Sequence, residues 1–313
     1  MKCLVTGGAG FIGSNLVHAL VGRGADVRVL DNFSTGVRAN LDEVADDIRI
    51  IEGDLRDRDD VAQAVDGVEV VFHQGAMPSV PRSVEDPLTS FHVNAMGTLH
   101  VMLAAKEAGV RRVVFAASSS AYGDTPTLPK HEGMPQNPLS PYAADKVYGE
   151  NLCRVFSASM GLECVGLRYF NVFGPRQRPD SAYAAVIPRF IEAVIAGNQP
   201  VIYGDGGQSR DFTFVQNVIG ANLLAADAAN AAGHVVNIGN GSRTTLLEVL
   251  NKICEVCGKE AAPIHEGVRA GDVRDSQADI SLAQRVLGFE PTVDLSAGLK
   301  LTVDWFRTAR QAT

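Results

Sequence analysis

A tyrosine and a lysine four residues apart, Tyr142 and Lys146 in Ser-Pro-Tyr-Ala-Ala-Asp-Lys, carry the clearest chemical signal in this chain. On a helix, residues four apart share a face, so an ammonium can sit beside a phenol. A free phenol ionises near pH 10, and work as a base at neutral pH requires a shift of about three units, or ~4 kcal/mol. A lysine charge and the positive ring of an oxidised nicotinamide have the right sign to supply much of it. The same spacing also occurs in ordinary amphipathic helices. Its weight here comes from a serine run, Ser118-Ser119-Ser120, and an N-terminal glycine series, Gly7, Gly10 and Gly13.

The glycines stand in Val5-Thr6-Gly7-Gly8-Ala9-Gly10-Phe11-Ile12-Gly13, between a strand-like run and a helical one. Such a turn lets the backbone approach a pyrophosphate closely and sets the phosphate charge on a helix N-terminus. The next strand-like run ends in Asp31-Asn32. A carboxylate there accepts hydrogen bonds from a ribose 2′-hydroxyl and repels a 2′-phosphate, which favours NAD over NADP. Asp54-Leu55, after the third strand, is placed to meet the adenine.

Lys2–Thr6, 26–30, Ile48–Glu52, 68–73, 112–117 and 164–169 read as short β-branched runs, several of them separated by helical patterns. This alternation implies an α/β fold, a Rossmann-type doubly wound parallel sheet covered on both faces. The longest helical pattern begins near Ser140 and runs through Met160, with Tyr142 and Lys146 on its first turns. Past Asn171 the pattern breaks up around Pro175, Pro179 and Pro188, and helices return at 215–229, 244–257, Ser281–Leu287 and 295–310. Residues 1–174 are therefore assigned to a dinucleotide-binding domain, with 212–240 returning to it. Residues 175–313 form mainly a smaller C-terminal α/β substrate-binding domain, with the substrate in the cleft between the two.

Composition sets the outer bounds. The 313 residues carry a formal charge of −8 with no basic run, which argues against nucleic acid or an anionic membrane as partner. No apolar span approaches membrane-helix length and the N-terminus enters a strand directly, so a cytoplasmic location is expected. The five scattered cysteines suit a reducing compartment. Cys254-Glu-Val-Cys257 lies inside a helical apolar pattern without a second cysteine pair, and reads as packing rather than a metal site.

Taken together, the GGAGFIGS fingerprint, Asp31-Asn32, Asp54-Leu55, Asn94-x-x-Gly97-Thr98, SSSxYGD, SPYAADK, Leu167-Arg-Tyr-Phe-Asn171, Gly204-Asp205-Gly206 and Ser209-Arg210-Asp211-Phe212 resemble one family. It is the extended short-chain dehydrogenases/reductases, and within it the nucleotide-sugar 4-epimerases. The resemblance covers essentially the whole chain. It implies Tyr142 as acid and base, Lys146 as its electrostatic partner on the nicotinamide ribose, and Ser118 as the hydroxyl orienting the sugar. It further implies NAD contacts from Gly7, Gly10, Phe11, Ile12, Gly13, Asp31, Asn32, Asp54, Leu55, Asn94 and Lys146. Substrate contacts fall to Ser79, Ser118, Ser119, Ser120, Tyr142, Asn171, Arg210, Arg269, Asp272 and Ser276, with the two arginines suited to the diphosphate and uridine. A homodimer through the helices around 88–107 and 140–160 is implied as well.

Departures from the relatives narrow the chemistry. Related dehydratases and decarboxylases carry carboxylates just after the catalytic hydroxyl, where this chain has Ser119 and Ser120. A serine without an activating partner is a poor base for chemistry at C5 or C6. Epimerases restricted to small hexoses usually carry a tyrosine at the position of Ser276. A serine leaves the sugar's C2 side open, with room for an N-acetyl group, so UDP-GlcNAc/UDP-GalNAc interconversion is expected, with UDP-Glc/UDP-Gal also accepted. The segments Pro78–Ser83 and Tyr183–Pro188 point the same way. UDP-glucuronate 4-epimerisation is the nearest alternative, since Ser119, Ser120 and the unassigned cation Arg178 could hold a carboxylate. A catalytically silent, dinucleotide-sensing Rossmann protein is the alternative from another class; such proteins typically lose the tyrosine or lysine, and both remain here.

Overall fold

The computed structural model describes residues 1–179, 185–267 and 273–311. Seven parallel strands form the central sheet: β1 (Lys2–Thr6), β2 (Asp26–Asp31), β3 (Ile48–Glu52), β4 (Val70–His73), β5 (Arg112–Ser118), β6 (Glu163–Tyr169) and β7 (Val235–Ile238). Their order across the sheet is β7-β6-β5-β4-β1-β2-β3. Winding reverses between β1 and β4, and the crevice at that switch point is where doubly wound sheets bind ligands. The glycine turn lies there.

Side chains of the strands alternate between two cores. Leu4, Leu30, Val71, Val113 and Phe115 face one, under the helices α2 (Arg58–Val65), α3 (Gly97–Glu107) and α4 (Pro141–Val155). Val5, Val29, Phe72 and Val114 face the other, under α1 (Phe11–Val21) and the helix Val215–Asp227. This period-two burial, apolar on both faces, is the mark of a parallel sheet covered twice. Among the described residues, no helix is long and apolar enough to cross a membrane.

Four of the expected strands begin or end a residue or two away from their predicted bounds, and the long helix is α-helical only through Val155. It continues as a π-type stretch over Phe156–Met160, closed by Gly161 at φ +74°. The loop-rich reading after Asn171 needs one correction: Val186–Ala196 is a helix. Pro188 falls in its first turn, where a missing N–H costs nothing because that group has no intrahelical partner. Cys254 and Cys257 lie half-buried on the helix Leu246–Cys257, and burial pushes both thiols up.

Candidate active site

At the end of β1 the backbone turns tightly enough that side chains are excluded. Gly7 has φ +65°, and a Cβ on Gly13 would lie 2.1 Å from the Gly7 carbonyl oxygen. A Cβ on Gly7 would lie 2.6 Å from Cα of Gly75, just past β4, so the two strand ends meet at the switch point. Gly10 caps α1 without a side-chain acceptor, which leaves the amides of its first turn for an anion. Phe11 and Ile12 open that helix and pack, partly buried, on the core.

Asp31 is 8% exposed, and one carboxylate oxygen accepts from the Ala9 N–H at 2.9 Å, the other from Phe33 N–H at 2.8 Å. A carboxylate has about four acceptor positions, so capacity for a ribose hydroxyl pair remains. Burial raises its pKa against the pull of these two N–H groups. Glycine turn, open helix N-terminus and strand-end aspartate together fit NAD.

Two expected cofactor contacts are more committed to the protein than the sequence indicates. The Asp54 carboxylate accepts from Nε and Nη2 of Arg56, at 2.9 and 2.7 Å, and from Asn32 at 2.8 Å. The Arg56 hydrogen bond holds that carboxyl well below its usual range. Asn94 is 2% exposed; its amide accepts from the Met77 N–H at 2.8 Å and reaches Ser90 at 3.2 Å. Its capacity is spent inside the protein. Leu55 is buried against the positions of Gly75 and Gly97.

The Tyr–Lys pair rides on α4, which Ser140 caps by accepting the Ala143 N–H at 3.2 Å, with Pro141 in the first turn. Ser118, the last residue of β5, lies beside Tyr142 and pulls its pKa down. The Ser118 oxygen accepts from the Ser120 N–H at 3.2 Å and the Ser120 hydroxyl at 2.9 Å. Ser119 and Ser120, half-buried, start the 3-10 turn Ser119–Tyr122. Lys146 is buried, donates to the Ala116 carbonyl at 2.8 Å, and lies 5.8 Å from the Tyr142 ring centroid.

Burial dominates the electrostatics. It pushes Lys146 down to about 8 against the charges of Asp145 and Glu150, and it raises Tyr142 despite Ser118 beside it. In the protein alone, then, the phenol is not acidic: burial outweighs the pull of Ser118. His73 below them is held neutral, down to about 3, first by burial and then by the Lys146 charge. Its two ring nitrogens sit 2.7 Å from the Thr6 hydroxyl and 3.0 Å from that of Thr98.

On the substrate side, Asn171 and Arg210 line one cavity of about 240 Å³ with Arg189, Tyr203 and Phe212. Asn171 holds φ +32°, a strained value that Asn tolerates better than most residues. Arg189 stacks on Tyr203 at 5.7 Å, and neither was singled out from the sequence. The unrecognised helix Val186–Ala196 hid the first; a lone aromatic on a short strand hid the second. Ser276 is 7% exposed and donates its N–H to the Ser209 carbonyl at 3.0 Å, so it is no solvated loop serine. Ser79 caps the helix Val80–Glu85, accepting from Arg82 N–H at 3.3 Å. Arg269, Asp272 and most of the 183–188 wall's start (Tyr183, Ala184) lie outside the described residues.

Fold and site together define a dinucleotide-dependent enzyme of the Rossmann class in which a tyrosine and a buried lysine share one helix face. Residues 3–239 match the family model described as "NAD dependent epimerase/dehydratase family", and the chain belongs to that family. It is 40% identical over 315 residues to a UDP-glucose 4-epimerase of Mycolicibacterium smegmatis, covering 99% of this chain and 100% of that one. Among solved structures it is similar to the UDP-N-acetylglucosamine 4-epimerase of Methanobrevibacter ruminantium in complex with UDP-N-acetylmuramic acid: TM-score 0.94, 40% identity, 98% of each chain. A UDP-glucuronic acid 4-epimerase of Bacillus cereus, in complex with UDP-glucuronic acid and NAD, matches with TM-score 0.90 and 33% identity, over 99% of this chain and 100% of that one.

Proposed function

We propose that this protein is an NAD-dependent UDP-sugar 4-epimerase that interconverts UDP-GlcNAc and UDP-GalNAc and also accepts UDP-Glc and UDP-Gal. The observation that carries the reading is the buried Lys146, 5.8 Å from the Tyr142 ring centroid and anchored on the Ala116 carbonyl of β5, the strand that ends in Ser118. The glycine turn stands two strands away in the same sheet.

Tyr142 takes the proton from the sugar O4 and later returns it, with Ser118 holding that hydroxyl in line. Lys146 keeps a positive charge beside the phenol. Bound NAD supplies reversible hydride exchange at the sugar C4 and is regenerated in each turnover. Arg210 and Asn171 hold the nucleotide diphosphate while the 4-keto sugar turns over, so that its opposite face is presented. Ser276 leaves the C2 side open. The helices Val80–Glu85 and Pro87–Ser90, the Phe91–Met96 π-type stretch and α4 pack together and expose Leu88, Phe91 and Val155, which supports a homodimer through that face.

UDP-glucuronate remains the second reading, favoured by Ser119 and Ser120 beside Ser118 and by the exposed Arg178. A direct assay with the three UDP-sugar pairs separates the two. The proposal requires turnover of both N-acetylated and plain hexoses, and Ser276→Tyr should reduce kcat/KM for UDP-GlcNAc by about tenfold or more relative to UDP-glucose. Turnover of UDP-glucuronate alone overturns the choice of substrate.

A further inference from the structure

We propose that Asp211 is a positioning residue for the nucleotide: its carboxylate clamps the segment carrying Arg210 to the segment carrying Ser276. The inference rests on, and deepens, the nucleotide-sugar reading of this cavity. Along residues 208–213 the side chains alternate. Gln208, Arg210 and Phe212 line the cavity, whereas Ser209, Asp211 and Thr213 are buried at 5%, 0% and 0% exposure. Such a period of two is that of an extended strand with one face on the ligand.

The other face is zipped to residues 274–278. Ser209 N–H donates to the Arg274 carbonyl at 3.1 Å, and Ser276 N–H to the Ser209 carbonyl at 3.0 Å. The Ser209 hydroxyl donates to Asp275, and an Arg210 guanidinium nitrogen to the Arg274 carbonyl at 2.8 Å. At the next rung a side chain replaces the backbone. Asp211 accepts from the N–H groups of Ala278 at 3.0 Å, Asn240 at 2.7 Å and Gly241 at 3.0 Å.

Three donors from two distant stretches thus converge on one fully buried carboxylate. An amide of the same shape offers one oxygen and an NH₂ that would face an N–H group, so Asn leaves at least one of the three donors unmet. The surroundings leave little slack. A Cβ on Gly239 would lie 2.9 Å from Asp211 Oδ2 and 2.7 Å from the Ala278 Cβ. Asp211 therefore fixes Arg210, its neighbour in sequence, against a rung two residues beyond Ser276. Nucleotide affinity and sugar width are set by one clamp.

The test uses the NAD-loaded enzyme with Asp211→Asn and, as a wedge that keeps the charge, Gly239→Ala. UDP binding is measured by calorimetry, alongside KM and kcat for UDP-sugars, NAD content and thermal unfolding. For Asp211→Asn the UDP Kd and the sugar KM should rise about tenfold, with kcat within about twofold and NAD content unchanged. Gly239→Ala should move the same quantities in the same direction by less. A folded Asp211→Asn protein with wild-type UDP affinity overturns the proposal. So does a variant whose KM holds while kcat, NAD content and melting temperature fall together, which is what a merely structural role gives. Should Asp211→Asn fail to fold, Gly239→Ala decides, and wild-type affinity there is a rejection. UDP binding needs no turnover. A wild-type protein that binds UDP but epimerises no sugar would therefore defeat the functional reading and leave the clamp standing; one that binds no UDP defeats both.

Discussion

Desolvation sets the working range of the acid–base pair. Lys146 is fully enclosed, and burial brings its pKa down to about 8, so its charge is lost as pH rises through that value. The positive ring of bound NAD pushes the same way. Epimerisation should therefore fall on an alkaline limb centred at or below pH 8, read from kcat against pH; a rate flat to pH 10 would contradict the role given to the lysine. Tyr142, Lys146 and Ser118 were legible in the sequence because two sit one helical turn apart and the third ends a strand. The strength of burial on them was not, since it depends on Phe115 and Ala116 from β5 closing over the ammonium. Asp54 and Asn94 show the same gap. Their positions could be read, but their partners Arg56 and Met77, in loops, and Ser90, ending the helix Pro87–Ser90, are set by tertiary geometry that no local pattern reveals.

The helix carrying Tyr142 and Lys146 is held from below by an ion pair further along the same face. Glu150, one turn beyond Lys146, accepts two hydrogen bonds of 2.7 Å from Arg168 on β6, and both side chains are at most 1% exposed. Arg168 also lies 4.6 Å from the Tyr122 ring centroid, and Gln136 donates to Glu150 at 2.6 Å. Breaking a buried pair leaves an uncompensated charge, so Arg168→Met should destabilise the protein by about 3–5 kcal/mol, measured by urea unfolding. Adding Glu150→Gln should recover part of that loss; a single variant of wild-type stability would show the pair to be dispensable. Most elements of the sheet were legible, because β1 and β3 are β-branched runs bounded by turns. The helix Val186–Ala196 was not, because Pro188 reads as a breaker unless its place in the first turn is known. β7 was not read as a strand from the sequence and is defined by its pairing with β6.

At the scale of the whole molecule, one apolar core runs from the sheet and α1 to Phe190 and Phe212 beside the Arg210 cavity, and polar contacts supplement it. Asn15 on α1 donates to the Pro175 carbonyl at 3.0 Å and accepts from Arg176 at 3.2 Å, tying the loop after Asn171 to the glycine-turn helix. Gln74, Tyr169 and Asn222 are linked by hydrogen bonds of 2.8 to 3.2 Å beneath the same switch point. Leu88, at 66% exposure, and Phe91, at 46%, are the apolar side chains to which the proposed dimer assigns its interface. Replacing both with Asp should halve the mass seen by light scattering while NAD stays bound; a wild-type protein that is already monomeric removes the dimer from the proposal. The most direct test of the central claim is proton NMR of UDP-GlcNAc, UDP-glucose and UDP-glucuronate incubated with the enzyme in D₂O. Reversible hydride exchange governed by Tyr142 predicts the C4 epimer of the N-acetylated and plain sugars, with no solvent deuterium at C4, and no product from Tyr142→Phe. Deuterium at C4 or C5, or an active Tyr142→Phe enzyme, would contradict it.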